Sequence, residues 1–161
     1  MILGIDPGSR YTGYAVLSKD GSYIDSGVIV LAKFKDFKSK LYNLSQQLDL
    51  IYSKYPIKML SLEKIFLGKN ADSAFKLGHA RGVCLLSAGR HDVEVFEYAA
   101  KYVKKVITGS GNSDKLTVQT FVNKFFNLNL TKEDQSDALA LAYCCLKRKD
   151  IQDNKLNQFR I

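Results

Sequence analysis

Four carboxylates stand where an ordinary core would not place them. Asp6 ends the apolar run Ile2–Ile5 and directly precedes Pro7-Gly8. Glu63 ends a second apolar run, IKMLSLE over 57–63. Asp134 and Asp137 lie three residues apart, just before the strongly apolar ALALAYCCL. Each has a plain structural reading when taken alone. Asp6 suits a turn before Pro-Gly, and Glu63 suits a solvated strand end. Thr131 and Asp134 fit a capping box, with Thr131 as N-cap. Asp137 could simply favour the positive end of a helix dipole.

Together they are harder to explain that way. Residues three apart share a helix face, so one buried helix presents two acids where two core strands end in acids. Carboxylates about 4 Å apart at an effective dielectric near 20 repel by roughly 4 kcal/mol per pair. Such a cluster takes up protons or binds cations. Oxygen donors with little imidazole or thiolate nearby suit Mg²⁺, with Mn²⁺ able to substitute. Two such ions about 3.5–4 Å apart can activate a water and stabilise the leaving oxygen of a phosphodiester. The residues therefore point to a metal-dependent nuclease.

A basic side accompanies the acidic one. Lys101, Lys104, Lys105, Lys115 and Lys124 face only Asp114 between residues 101 and 124. A solvated helix face is the ordinary reading of such a run. Lys115 is the exception, since it follows TGSGNSD in a first helical turn, where the macrodipole disfavours a cation. A phosphate at the Gly109–Gly111 loop would account for both features. Phe66, in the turn after Glu63, reads as a core anchor on spacing alone, with stacking on opened DNA as the functional option.

The elements that must position these groups follow from periodicity. Residues 11–19 and 22–31 read as two further strands, joined at Lys19-Asp20-Gly21. Asp36 is placed as N-cap of a long helix with an apolar stripe through Phe37, Leu41, Leu44, Leu48, Ile51 and Tyr55, ended by Pro56. A helix over about 70–89 carries Ala74, Gly78 and Gly82, which permit close packing within the domain or against a second chain. Residues 93–97 make a fifth strand, and helices follow at about 98–107, 113–126 and 131–147. This is an α/β order. It fills one domain over 1–147, and the polar, basic segment 148–161 is expected to fray.

The formal net charge of +8 over 161 residues favours an acidic partner such as DNA. Three cysteines, two of them adjacent, suggest no disulfide framework. The two histidines have no zinc-site spacing with them. No apolar run reaches membrane-spanning length, and the cytoplasm is the expected setting.

The segments ILGIDPGSRYTGYAV, SLEKIFLGKNADSAFKLGHARGV, VFEYAAKYVKKVITGSGNSDK and DQSDALALA, in this order, closely resemble the RuvC family of bacterial Holliday junction resolvases. The resemblance runs from residue 2 to about 145. It implies a ribonuclease H-like fold, a five-stranded mixed sheet flanked by helices on both faces, working as a homodimer. It places the catalytic, metal-binding acids at Asp6, Glu63, Asp134 and Asp137, with Mg²⁺, two ions per site, as cofactor. It gives Phe66 contacts with junction bases, and Lys104 and Lys115 roles in DNA binding or catalysis. The implied activity is paired symmetric nicking of four-way DNA junctions, leaving 5′-phosphate and 3′-hydroxyl ends, in cooperation with the RuvA–RuvB branch-migration complex. Lys64 and His79 depart from the glutamine common in relatives, and Asp137 makes the site all-carboxylate where some relatives carry histidine. Two other readings compete: a phosphate-handling protein of the actin–hexokinase group, and a junction-binding module without catalysis. The first normally needs two such domains, and the second has no need of four acids.

Overall fold

The computed structural model describes residues 1–65 and 71–148. The N-terminal strands pair as the turn signals predict. β1 (Ile2–Asp6) runs antiparallel to β2 (Tyr11–Leu17), which runs antiparallel to β3 (Tyr23–Val30). After α1 (Phe37–Lys54), β4 (Met59–Glu63) returns parallel to β1. After α2 (Ala71–Arg90), β5 (Glu94–Tyr98) adds parallel to β4. The sheet order is therefore β3-β2-β1-β4-β5, five-stranded and mixed. α3 (Ala100–Thr108), α4 (Lys115–Phe126) and α5 (Glu133–Arg148) complete the chain. Among the described residues, no helix is long and apolar enough to cross a membrane.

Strand alternation sorts side chains between two cores. Leu3, Ile5, Leu60 and Leu62 pack with Leu44, Leu48, Ile51, Ala80 and Cys84 of α1 and α2. Ile2 joins the other core, with Val103, Val118 and the apolar run of α5. By the same alternation Asp6 shares the face of Ile2 and Gly4, and Glu63 shares that of Met59 and Ser61. Both acids therefore turn toward α5.

α5 lies unusually close to the sheet because small residues let it. A Cβ on Gly4 would meet the Ala138 carbonyl oxygen at 2.0 Å and the Ala142 nitrogen at 2.7 Å. A Cβ on Gly13 would meet the Asp134 carbonyl oxygen at 1.9 Å. The buried Ser61 hydroxyl donates to the Leu141 carbonyl at 2.7 Å, tying β4 to the same helix. Cys84, Cys144 and Cys145 are free and buried within these cores.

Local capping follows the sequence in one case and departs from it in another. Asp36 caps α1 as expected, its carboxylate accepting from the Ser39 amide at 2.8 Å. The expected capping box at Thr131 does not form. α5 begins at Glu133, with the Ser136 amide reaching back to the Lys132 carbonyl, and the Ser136 hydroxyl donates to the Glu133 carbonyl. The basic tail after residue 148 lies outside the described residues.

Candidate active site

β1 and β4 run parallel with Ile5 opposite Leu62, so the next residues, Asp6 and Glu63, stand side by side where the strands end. α5 crosses this end of the sheet and brings Asp137 to the same place. Asp6, Glu63 and Asp137 line one cleft of about 250 Å³ with Lys104, Lys115, Val103, Val118 and Leu141. Asp6 and Glu63 also border a neighbouring cleft of about 280 Å³, lined by Pro7, Lys64, Ile65 and Leu77. The two acids thus form a ridge between two depressions.

The electrostatics show how closely the acids are coupled. Burial, followed by the charges of Asp137, Glu63 and Asp134, pushes the Asp6 carboxyl from 3.8 up to about 8. Burial and then Asp137 raise Glu63, against the pull of Lys115 and Lys104. Burial raises Asp137, which Lys115 opposes and Glu133 and Asp134 reinforce. Asp134 is thus felt by both Asp6 and Asp137, while its own backbone is the part pressed on Gly13. Asp6, Glu63 and Asp137 share the cleft, whereas Asp134 stands outside its lining and reaches Asp6 and Asp137 by charge alone.

Lys115 is the cation seated among them. Its Nζ lies 3.3 Å from Asp137 Oδ2 and 3.4 Å from Glu133 Oε2. Burial works against its charge, but Asp137 and Glu133 outweigh it and hold the ammonium above its ordinary pKa. The local backbone gives its position a cause other than a bound phosphate. Asp114 caps α4, accepting from the Thr117 amide at 2.7 Å, so a carboxylate offsets the helix terminus that Lys115 occupies. Gly109 ends α3 in the left-handed region, φ +82°, which is reason enough for glycine there. Lys104, one helix away on α3, lines the same cleft. Phe66 lies outside the described residues.

Three residues of importance escape sequence reasoning. Glu133, the second partner of Lys115, carries no signal beyond being an acid in a first helical turn. Gly4 and Gly13 set the depth of α5. Their only sequence trace is that glycines on two adjacent strands can face an alanine-rich helix.

The donor set suits a hard divalent cation in chemistry, being all oxygen and bearing like charges that a cation would relieve. Among the described residues, no three His, Cys, Asp or Glu side chains are gathered closely enough to hold a metal as they stand. The ammonium of Lys115 already engages Asp137, so coordination requires that contact to yield and the carboxylates to turn inward.

Comparisons with known proteins bear on the family and the fold. The family model for crossover junction endodeoxyribonuclease RuvC matches residues 2–145. The protein of that name from Haemophilus ducreyi is 43% identical over 146 residues, spanning 88% of this chain and 76% of its own length. The one from Citrifermentans bemidjiense is 42% identical over 148 residues, spanning 89% and 90%. Among solved structures, Thermus thermophilus RuvC superposes with a TM-score of 0.82 at 22% identity, covering 92% of this chain and 95% of its own. T. thermophilus RuvC in complex with a Holliday junction substrate gives 0.83 at 20% identity, covering 92% and 94%. These superpositions bear on the fold, which is the ribonuclease H-like sheet expected from the sequence.

Proposed function

Since this chain belongs to the RuvC family of crossover junction endodeoxyribonucleases, we propose that its acidic cleft nicks the two symmetry-related strands of a four-way DNA junction. Each cut leaves a 5′-phosphate and a 3′-hydroxyl. The nuclease domain spans residues 1–147. The observation that carries the reading is the electrostatic coupling of Asp6 to Glu63, Asp134 and Asp137, beside Lys104 and Lys115 at one end of the sheet. A module that only bound DNA would gain nothing from acids that repel phosphate.

In this reading the four carboxylates hold Mg²⁺, two ions per site, with Mn²⁺ able to replace it. When bound, the metal supplies an activated water and charge stabilisation for the leaving oxygen. The chain's own groups set the rest. β1 and β4 fix the backbones of Asp6 and Glu63 by their ladders, so only the two side chains have to turn inward. Lys115 stays charged near neutral pH and, on leaving Asp137, donates to a non-bridging phosphate oxygen. Lys104, which lines the same cleft from α3, donates to another non-bridging oxygen. Val103, Val118 and Leu141 present an apolar wall that thins the water around these contacts. Phe66 contacts bases at the opened crossing point.

The unit that acts is a homodimer. Its support is the outer face of α2, where Phe75 and Leu86 are 66% and 62% exposed. They flank an open groove with Gly78, His79, Gly82 and Leu41. Among the described residues, a Cβ on Gly78 or Gly82 would meet nothing within 4 Å, so no packing there calls for glycine at either position. The RuvA–RuvB complex delivers the junction.

Replacement of Asp6 or Asp134 by Asn, or Glu63 by Gln, tests the assignment. Each should lower single-turnover cleavage of a synthetic junction by about 10²–10³-fold while junction binding in EDTA is retained. Cleavage at the wild-type rate removes that acid from the site.

A further inference from the structure

The lysines named so far sit on the β5 side of the acids, on α3 and α4. The opposite side of the same sheet end carries a second group of cations. β1, β4 and β5 finish at this end, β2 begins there, and β3 finishes there with Val30 opposite Tyr11. The segment from β3 into α1, LAKFKDFKSK over 31–40, therefore emerges beside the turn that starts at Asp6.

That segment is fastened to the turn rather than merely near it. The amides of Leu31 and Ala32 both donate to the Arg10 carbonyl, each at 2.9 Å. The turn is closed by the buried Thr12, whose hydroxyl accepts from the Gly8 amide at 3.2 Å and donates to the Gly8 carbonyl at 3.1 Å. Arg10, Lys33, Lys35 and Lys38 are all exposed. The guanidinium of Arg10 lies 6.0 Å from the Tyr11 ring centroid, and the Lys33 ammonium lies 5.3 Å from that of Phe34. Among the described residues, none of these four cations is within ion-pair distance of a carboxylate, and only Lys38 is felt by one, Asp36. The one acid within the segment, Asp36, is occupied as the α1 cap by the amide and hydroxyl of Ser39.

We propose that Arg10, Lys33, Lys35 and Lys38 form a second phosphate-binding strip, which tracks the DNA backbone away from the scissile phosphate on the β3 side. This rests on reading the acidic cleft as a DNA-nicking site. Strands stand about 4.8 Å apart, so β3 lies ~10 Å from β1. One strand of duplex DNA advances about 3.4 Å per phosphate, so the strip meets the backbone about three nucleotides from the cut. With Lys104 and Lys115 on the other side, cations then flank the acids in both directions. That arrangement centres a polyanion over a cluster that would otherwise repel it.

The salt dependence of binding tests this, because each phosphate neutralised contributes about 0.9 to the slope of log K against log salt. The probe is a fluorescent synthetic four-way junction, with linear duplex beside it, measured by anisotropy in EDTA from about 50 to 200 mM salt. The combined variant Lys33→Ala, Lys35→Ala, Lys38→Ala should reduce the slope by about 2–3 and weaken binding about tenfold or more at the lowest salt. The control Lys19→Ala, Lys58→Ala removes two exposed lysines from the far end of the sheet. It should leave the slope unchanged. A triple variant with the wild-type slope overturns the strip, as does a control that lowers the slope as much per lysine removed. Wild-type protein that binds junction no better than duplex sinks the resolvase reading instead, and the triple variant's slope on duplex still decides the strip. Wild-type protein that binds neither DNA overturns both.

Discussion

Asp6 is held in a setting that opposes its own charge, and this should be measurable as stability without any substrate. Its carboxyl is raised from 3.8 to about 8, chiefly by burial and then by Asp137, Glu63 and Asp134. Between those two pH values the folded protein holds a proton that the unfolded chain has released. Stability therefore falls as pH rises through this window: the contribution is fully present below about pH 4 and lost once pH passes about 8. A shift of about four units at about 1.4 kcal/mol each sets a ceiling near 6 kcal/mol. Relaxation and water entry around the partly buried group should leave about 2–3 kcal/mol. Asp6→Asn removes the charge at nearly constant shape. In EDTA, urea denaturation should find the variant equal to wild type near pH 4 and more stable by about 2–3 kcal/mol at pH 9. Adding Mg²⁺ should stabilise wild type more than the variant and narrow that gap. A variant no more stable than wild type at pH 9 in EDTA would refute the reasoning, because the carboxylate would then be satisfied where it stands.

The remaining expectations concern the parts that hold the site. Gly4→Ala drives a methyl against the Ala138 carbonyl at 2.0 Å, so thermal unfolding should show a loss of about 3 kcal/mol. Cleavage should fall as well, since α5 carries Asp134 and Asp137. Leu86→Glu places a charge in the α2 groove, and sedimentation velocity should show wild-type dimers and variant monomers. A variant that stays dimeric moves the interface elsewhere. Lys115→Ala should slow junction cleavage by ten- to a hundredfold. It should change stability by about 1 kcal/mol or less, because the Lys115 side chain is 59% exposed and only its Asp137 partner, at 22%, is mostly covered.

How much of this was legible in the sequence varied with the kind of interaction. Asp6 and Glu63 could be found because a core strand rarely ends on an acid twice. Their convergence needed the parallel β1–β4 register, which apolar runs alone do not reveal. Asp137 was legible from its contrast with the apolar helix behind it. The plain alternative for Asp134, a capping box at Thr131, fails, since α5 starts two residues later, at Glu133. Lys115 was singled out correctly as odd, but a bound phosphate is not needed to explain it. Asp114 caps the helix, and the lysine reaches Asp137 on α5. That partner is 22 positions away, beyond any local pattern. Gly78 and Gly82 left internal packing and a second chain equally open. Among the described residues, the empty space over both, beside the exposed Phe75 and Leu86, counts against internal packing.

The most direct test of the central claim is to map the cuts made in a synthetic four-way junction, with linear duplex as control, in Mg²⁺. The account predicts two nicks at symmetry-related positions on opposing strands, sealable by ligase, absent from duplex and lost in Glu63→Gln. Random cutting of duplex and junction alike, or junction binding with no Mg²⁺- or Mn²⁺-dependent cleavage, would contradict it.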